Sequence, residues 1–222
     1  MFLLAIYVTI KFMSDTKRIL EILAQDFPNP TSELNFNSPF QLLVAVILSA
    51  QCTDKRVNLV TPELFQVAPD AATLAALPIE EIQRIIHPCG FYNSKSKYLK
   101  EMSQDLVDRF GGVVPSDLDQ LQTLKGVGRK TANVVYAVAF GGQAIAVDTH
   151  VFRVSNRLGI VSATNVLETE KQLMQAIPRE LWADSHHYIL LHGRYVCKAQ
   201  RPNCTACSVK SLCKHYKETH ND

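Results

Sequence analysis

Apolar positions recur along this 222-residue chain mostly at intervals of three and four, which is the spacing of one buried helix face. The pattern predicts helices at residues 14–27, 35–51, 53–67, 70–77, 78–87, 94–110, 116–124, 130–140, 148–158, 166–176 and 178–195. Two short segments, VILSA and QAIAV, could be strands on residue propensity alone, but no run of strands alternates with hairpin turns. The predicted fold is therefore all-α.

The stretch 35–51, NFNSPFQLLVAVILSAQ, differs from the others because its interior is apolar on every side. Ser38 is a helix-capping residue, and Pro39 follows it at the first helical position. A helix that is apolar all round is buried. This stretch is therefore expected to form a central helix of the core.

Composition and charge narrow the class of protein. Apolar residues make up 47% of the sequence, which excludes a disordered chain. Residues 1–119 contain 10 Lys and Arg against 14 Asp and Glu, a net charge of −4. Residues 120–222 contain 13 against 7, a net charge of +6. The basic half indicates a polyanionic partner.

The segment LKGVGRKTA (124–132) lies between two predicted helices, the first of which starts with a capping box of Ser116 and Asp119. The connection is a tight hairpin, in which Gly126 and Gly128 can take positive φ or let another backbone approach closely. The amides of such a turn, together with the free amides of the next helix, bind anions. A DNA phosphate fits there without any base being read, although an ordinary corner between two helices would use the same glycines.

Lys130 follows the hairpin in the first turn of the next predicted helix. The positive end of the helix dipole disfavours a charged ammonium there. A neutral amine is a nucleophile that forms Schiff bases with carbonyl carbon atoms. A solvated surface lysine is the plainer interpretation.

Asp148 ends the apolar run QAIAV and precedes a helix, where a plain N-cap is its simplest role. The helix after the hairpin is about 15 Å long, at a rise of 1.5 Å per residue. Two glycines then turn the chain, and the apolar run brings it back towards the level of Lys130. A carboxylate beside an amine can hold it or stabilise the cation that forms in a reaction.

Four of the six cysteines, Cys197, Cys204, Cys207 and Cys213, lie within 17 positions of one another. Such a cluster indicates a metal site in a reducing compartment, since the cysteines of a secreted disulfide protein are usually spread along the chain. Four thiolates hold either zinc or an iron–sulfur cluster. The spacing of the cysteines is compatible with either metal group, and zinc is the commoner of the two.

The first ten residues, MFLLAIYVTI, form an apolar run that is too short to span a membrane. The run has no basic start and no small-residue cleavage site, so a signal peptide is not expected. Residues 1–12 are interpreted as an N-terminal extension before Met13. A membrane-associated or cleaved segment is the alternative.

Three motifs, in this order and spacing, resemble the endonuclease III family of helix-hairpin-helix DNA glycosylases: LKGVGRKTANVV, VDTHVFRVSNRLG and CKAQRPNCTACSVKSLC. The resemblance covers the chain from about residue 15 to residue 214. Lys125 departs from it, because the family usually has proline before the first hairpin glycine. A lysine at this position lacks the proline ring that would stiffen the turn, and it adds a candidate phosphate contact.

The resemblance implies two helical lobes with a DNA cleft between them. A six-helix domain would span residues 30–145, with the hairpin at 124–130. Residues 13–29 and 146–222 would form the second lobe, in which the four clustered cysteines hold a [4Fe–4S] cluster. The cluster would fix the loop that presents Lys198 to phosphate, a structural role in DNA binding.

The resemblance also implies roles for individual residues. Lys130 would attack C1′ of the damaged nucleotide, displace the base and leave a Schiff base that allows β-elimination of the 3′ phosphate. Asp148 would assist activation and stabilise positive charge on the sugar. Because the nucleotide has to leave the stack, Gln51 and Phe91 would fill the gap, and His150 would contact backbone or sugar. A helix-end glutamine, a core aromatic ring and a surface histidine are the plainer alternatives.

The expected function is removal of oxidised pyrimidines from duplex DNA in base excision repair, with cleavage of the abasic site that results. An adenine- or thymine-mismatch glycosylase of the same superfamily is one alternative; the adenine enzymes usually lack a lysine at the position of Lys130 and carry a further C-terminal domain. A non-catalytic helix-hairpin-helix DNA-binding module with a zinc knuckle is the other, and binding alone needs neither Lys130 nor Asp148.

The expected partner is double-stranded DNA that carries a damaged base or an abasic site. We expect a monomer that does not bind membranes. In a bacterium, such a protein would be cytoplasmic and associated with the nucleoid.

Overall fold

The computed structural model describes residues 15–220, and every regular element within that range is helical. The predicted all-α fold is confirmed. VILSA lies mostly inside a helix, and QAIAV is an extended, mostly buried loop rather than a strand. None of the helices in the described range is both long and apolar enough to cross a bilayer. The predicted extension of residues 1–12 lies outside the described residues.

The described chain divides into two compact units: residues 32–142 form one, and the residues on either side of them form the other. The helices of the first unit are α2 (Pro39–Ser49), α3 (Asp54–Val67), α4 (Ala71–Ala76), α5 (Ile79–Ile86), α6 (Tyr92–Phe110), α7 (Leu118–Gln122) and α8 (Arg129–Phe140). The second unit contains α1 (15–26), α9 (Thr149–Leu158), α10 (Val166–Ala176), a 3-10 turn (Arg179–Leu181), α11 (Trp182–Tyr195) and α12 (Lys214–Thr219).

Helix α2 is the centre of the unit formed by residues 32–142. The Ser38 hydroxyl accepts a hydrogen bond from the Gln41 amide at 3.2 Å, and Pro39 occupies the first turn, as predicted. Every side chain from Leu42 to Leu48 is buried, and α3, α6 and α8 pack around the helix. The expectation of a central helix that is apolar on all sides is confirmed.

The short helix α7 begins one residue later than the sequence predicts. Asp117, not Ser116, is the N-cap, and its carboxylate accepts a hydrogen bond from the Gln120 amide at 2.9 Å. The predicted capping box of Ser116 and Asp119 is therefore wrong. Aspartate caps a helix at least as well as serine, and a helix that starts at this position buries Leu121 completely.

One face of α6 supports the segment that leads into the hairpin. Arg109 donates a hydrogen bond to the Thr123 hydroxyl at 2.7 Å, and Asp105 accepts one from the backbone amide of Lys125 at 3.1 Å. A proline at position 125 has no amide hydrogen to donate. The residue that departs from the family pattern thus ties the hairpin to α6 by a bond that proline could not make.

Helix α9 has the central place in the second unit. Val151, Val154 and Leu158 recur along one side of it and are buried, and α10, α11 and α12 pack against it. Leu23 of α1 belongs to the same buried cluster. The unit therefore combines a helix that precedes residues 32–142 with helices that follow them.

The two glycines of the hairpin have different structural roles. Gly126 has φ +73°, and a Cβ atom there would lie 2.7 Å from Cβ of Tyr98. Gly128 has φ −83°, which any residue can adopt, and a Cβ atom there would meet nothing within 4 Å. The fold needs glycine at position 126 and does not need it at position 128.

We therefore predict that Gly126→Ala lowers the free energy of unfolding by about 3 kcal/mol, from left-handed backbone strain and the clash with Tyr98. Gly128→Ala should change it by less than about 0.5 kcal/mol, since a poorer cap and a stiffer unfolded chain offset each other. Urea unfolding of both variants measures the difference. Equal stability of the two would contradict this account of the hairpin.

Candidate functional site

The hairpin presents backbone amides at the N-terminus of α8. Val127 is buried between the two glycines and its amide donates to the Leu124 carbonyl at 3.1 Å, which anchors the turn. Gly128 is the N-cap of α8 and supplies no side chain to cap the helix. The first amides of a helix have no partner within it, and the space beside Gly128 is open. Free amides beside open space are the arrangement with which helix N-termini can bind anions.

Lys130 lies in the first turn of α8, immediately after this site, and is exposed. Lys125 and Arg129 are exposed on the same hairpin. A phosphate at the turn would therefore meet three cations as well as the backbone amides. The exposure of Lys130 is compatible with both of its interpretations, a solvated surface lysine and a catalytic nucleophile.

A cavity of about 250 Å³ brings together three of the predicted DNA-binding residues. Gln51 follows the end of α2, Phe91 precedes α6, and Gly126 belongs to the hairpin, and all three line the cavity. Thr131, which follows Lys130, lines it as well. Residues that are far apart in the sequence thus meet beside the hairpin.

Gln51 and Phe91 both have left-handed backbone conformations, with φ of 51° and 58°. Such conformations cost residues other than glycine about 1–3 kcal/mol, and they concentrate at functional sites. Phe91 is 66% exposed, so the alternative that it is a core aromatic residue is wrong. An aromatic ring held in solvent by strained backbone can enter another molecule's base stack.

Asp148 is the N-cap of α9. Its Oδ1 accepts hydrogen bonds from the amides of His150 and Val151, each at 2.8 Å. These two bonds fix the orientation of the carboxylate, and Oδ2 takes no part in the cap. Lys130 belongs to the unit of residues 32–142 and Asp148 to the other unit, so their approach stays a prediction.

Two arginines of α9 hold the loop that begins at Cys197. Arg153 donates to the Cys197 carbonyl at 3.0 Å and lies 3.2 Å from Nδ1 of His150. Arg157 donates to the Lys198 carbonyl at 2.7 Å. The Lys198 side chain is exposed, whereas His150 is half-buried with one ring nitrogen engaged by Arg153. The sequence pattern did not predict these two arginine contacts.

The four clustered thiols share one local environment. Burial raises the pKa of Cys207 and of Cys213, and the other thiols of the cluster raise both further. The Arg157 guanidinium lies 3.5 Å from Sγ of Cys197, and Nε2 of His192 lies 3.7 Å from Sγ of Cys207. Thiolates at these positions would have cationic or polar neighbours, which fits a thiolate-held metal group. Within residues 15–220, no three His, Cys, Asp or Glu side chains are gathered closely enough to hold a single metal ion.

Lys95 is a site residue that we did not predict from the sequence. It lines the same cavity, is only 4% exposed, and donates from Nζ to the Leu48 carbonyl at 2.8 Å. Burial lowers its pKa, and the nearby thiols Cys52 and Cys89 act in the opposite direction. The sequence did contain a signal for its burial, because Lys95 and the buried residue Leu99 are spaced to lie on the same face of α6.

Comparison with known proteins places the chain in a family. Residues 44–179 match the HhH-GPD superfamily of base excision DNA repair proteins. Endonuclease III of Bacillus subtilis is 50% identical over 196 residues, which cover 88% of this chain and 90% of that protein. Endonuclease III of Haemophilus influenzae is 46% identical over 208 residues, which cover 93% and 98%.

A solved structure of a trapped endonuclease III–DNA covalent intermediate, an estranged-adenine complex, matches with a TM-score of 0.89. Its sequence is 46% identical, and the match covers 93% of this chain and 97% of that one. Similarity in sequence and in structure therefore extends over nearly the whole length of both proteins. The chain belongs to the HhH-GPD superfamily of base excision DNA repair proteins and, within it, to the endonuclease III family.

Proposed function

We propose that this protein is a DNA glycosylase with abasic-site lyase activity, which removes oxidised pyrimidines from duplex DNA in base excision repair. The observation that carries the proposal is the exposed amine of Lys130, one residue into the helix that follows an open anion-binding hairpin. The existence of a covalent endonuclease III–DNA intermediate for a relative of 46% identity supports it.

The hairpin binds a phosphate of the DNA backbone and so sets the register of Lys130 on the strand. The Lys130 amine attacks C1′ of an extruded nucleotide, the bond from C1′ to the base breaks, and the base leaves with a proton. Opening of the sugar ring gives a Schiff base between Nζ and C1′. Loss of a proton from C2′ then breaks the bond between C3′ and its oxygen, which cuts the strand.

Asp148 stabilises the positive charge that develops on the sugar as the base departs. Its carboxylate suits this role because two backbone amides already hold Oδ1, so the group needs no reorganisation when charge appears. A mismatch glycosylase that activates water would need no amine at position 130. A DNA-binding module would need neither residue.

Gln51 and Phe91 occupy the space that the extruded nucleotide leaves in the stack. The support for this role is their shared cavity, their strained backbone, and the exposure of the Phe91 ring. His150 and Lys198 contact the DNA backbone. The protein acts as a monomer on duplex DNA, in the cytoplasm and on the nucleoid of a bacterial cell.

Cys197, Cys204, Cys207 and Cys213 hold a [4Fe–4S] cluster, as four thiolates can. When bound, the cluster gives the loop from Cys197 to Cys213 a fixed support and adds no chemistry at the sugar. Arg157 holds the same loop from the side of α9, through the carbonyls of Lys198 and Ala199. Cluster and arginine together would keep Lys198 in place for phosphate.

Two variants separate the proposed catalytic roles. Lys130→Gln removes the amine but keeps the amides of the hairpin, so binding to lesion DNA should persist while base release and strand cleavage fall about a thousandfold or more. Asp148→Asn keeps a good N-cap and removes only the charge, so base release should fall about a hundredfold or more. Single-turnover assays on lesion and abasic duplexes measure both.

Cleavage of a preformed abasic site should survive better in Asp148→Asn than in Lys130→Gln, because the aldehyde there is already electrophilic. The same loss of both activities in the two variants would contradict the division of roles. Wild-type rates in Lys130→Gln would contradict the proposed function itself.

The metal assignment predicts yellow-brown protein that contains about four iron atoms per chain. Cys204→Ser should lower the iron content and weaken DNA binding, because the loop that carries Lys198 loses its support. Cys52→Ser is the matched control for the iron content and should leave it unchanged, since Cys52 lies outside the cluster of four. Elemental analysis and visible absorption provide the measurement, and folded, colourless protein with one zinc ion would refute the assignment.

A further inference from the structure

Lys95 places a buried cation at the end of the central helix α2. Its side chain is 4% exposed, and its Nζ donates to the Leu48 carbonyl at 2.8 Å. The charged groups that act on it are the thiols Cys52 and Cys89, with no Asp or Glu of the described residues among them. The negative end of the α2 dipole attracts the ammonium as well. A cation buried without a carboxylate is costly for folding, which suggests a local role.

The last four carbonyls of α2 need partners that the helix cannot supply. Those partners are, in chain order, the Ser49 hydroxyl, the Ala50 amide, the Lys95 ammonium and the Cys52 amide. Three of them come from the last residue of α2 and from the turn that follows it. Lys95 alone among the four reaches the helix end from another helix, so it joins α6 to the turn in which Gln51 takes its left-handed conformation.

The backbone of the same lysine holds the other strained residue. The Lys95 amide donates to the Phe91 carbonyl at 3.0 Å, which closes the first turn of α6 onto its left-handed N-cap. Lys95 therefore binds the end of the helix that leads into the turn of Gln51 through its ammonium, and it binds Phe91 through its amide. The two turns also meet directly, since a Cβ atom at Gly90 would lie 3.5 Å from the Gln51 carbonyl.

We propose that Lys95 is a positioning residue for DNA unstacking: it fixes the distance between Gln51 and Phe91, so that both side chains enter the duplex together. The inference rests on the proposed function, because only an enzyme that extrudes a nucleotide needs this gap to be filled. Two rigidly spaced side chains lose less conformational freedom on insertion than two independent ones. Lys95 touches neither the sugar nor the base that reacts.

Lys100 provides a natural control on the same helix. Its Nζ donates to the carbonyls of Ala75 and Leu77, at 2.6 and 2.7 Å, and so serves the end of α4 as Lys95 serves the end of α2. The residues around the cavity of Gln51 and Phe91 do not include Lys100. Substitution of either lysine should therefore remove contacts at a helix end, but only substitution of Lys95 should reduce unstacking of the DNA.

The test uses the full-length protein and a duplex that contains tetrahydrofuran, an uncleavable analogue of an abasic site, opposite 2-aminopurine. The fluorescence of 2-aminopurine rises when the base leaves the stack. Lys95→Met should reduce this rise and weaken binding by about tenfold, the effect of a lost hydrogen bond to a charged group. Lys100→Met should leave both unchanged, and thermal unfolding of the two variants provides the measure of their structural cost.

A double-mutant cycle then asks whether Lys95 acts through Gln51. In a Gln51→Ala background, Lys95→Met should weaken binding by about twofold or less, because coupled residues are not additive. A full tenfold loss in that background, or equal effects of Lys95→Met and Lys100→Met, would overturn the inference. Should Lys95→Met fail to fold, Lys95→Gln keeps a shorter neutral donor and should lose at least about threefold in binding; unchanged unstacking in that variant would equally overturn the inference.

Failure of the proposed function gives a different result. Wild-type protein that neither binds the tetrahydrofuran duplex nor brightens 2-aminopurine would contradict the glycosylase assignment. Wild-type protein that does both, with Lys95→Met behaving in the same way, would contradict only the role of Lys95.

Discussion

The site depends on one constraint of helical proteins: each helix end leaves backbone groups without a partner inside the helix. Four helix ends carry the proposed functional residues. The uncapped amides of α8 form the proposed anion site, and those of α9 are held by Asp148. The Leu48 carbonyl at the end of α2 is bound by Lys95, and α6 starts from the strained Phe91. The proposed binding and catalytic positions of this all-helical fold thus lie at its helix termini.

Helix α6 gives these termini their rigidity within the unit of residues 32–142. Its first turn holds Phe91 and the end of α2, its middle packs Tyr98 under Gly126, and Asp105 binds the amide of Lys125. The family usually stiffens the hairpin with a proline, whereas this chain uses a hydrogen bond from the residue that replaces it. The two solutions restrict the same turn by different means.

The sequence pattern predicted most of the fold, because helical spacing, caps and glycines are local signals. It predicted α2 as a buried helix and the hairpin as an anion site from the residues themselves. The cap of α7 was misplaced by one residue, since Ser116 and Asp117 are both good caps and local sequence does not separate them. The exposure of Phe91 depends on a left-handed backbone conformation that composition does not reveal.

Lys95 was missed for a related reason. Lysine is expected at the surface, so the helical spacing of Lys95 with the buried Leu99 did not mark it as a buried cap for another helix. The approach of Lys130 to Asp148 depends on contacts between distant parts of the chain, which local patterns do not determine. The roles proposed for them and the proposed [4Fe–4S] cluster come from the family resemblance, because spacing alone left the metal group open.

Covalent trapping followed by peptide mapping tests the central claim most directly. Borohydride reduces a Schiff base and leaves oxygen-linked intermediates untouched, so protein incubated with lesion DNA and borohydride should become linked to the strand. An alkylated lysine resists trypsin, so the adduct should lie on the peptide that follows Arg129 and ends at Arg153, with the modification on Lys130. An adduct on any other lysine, or no adduct under conditions in which the strand is cut, would contradict the account.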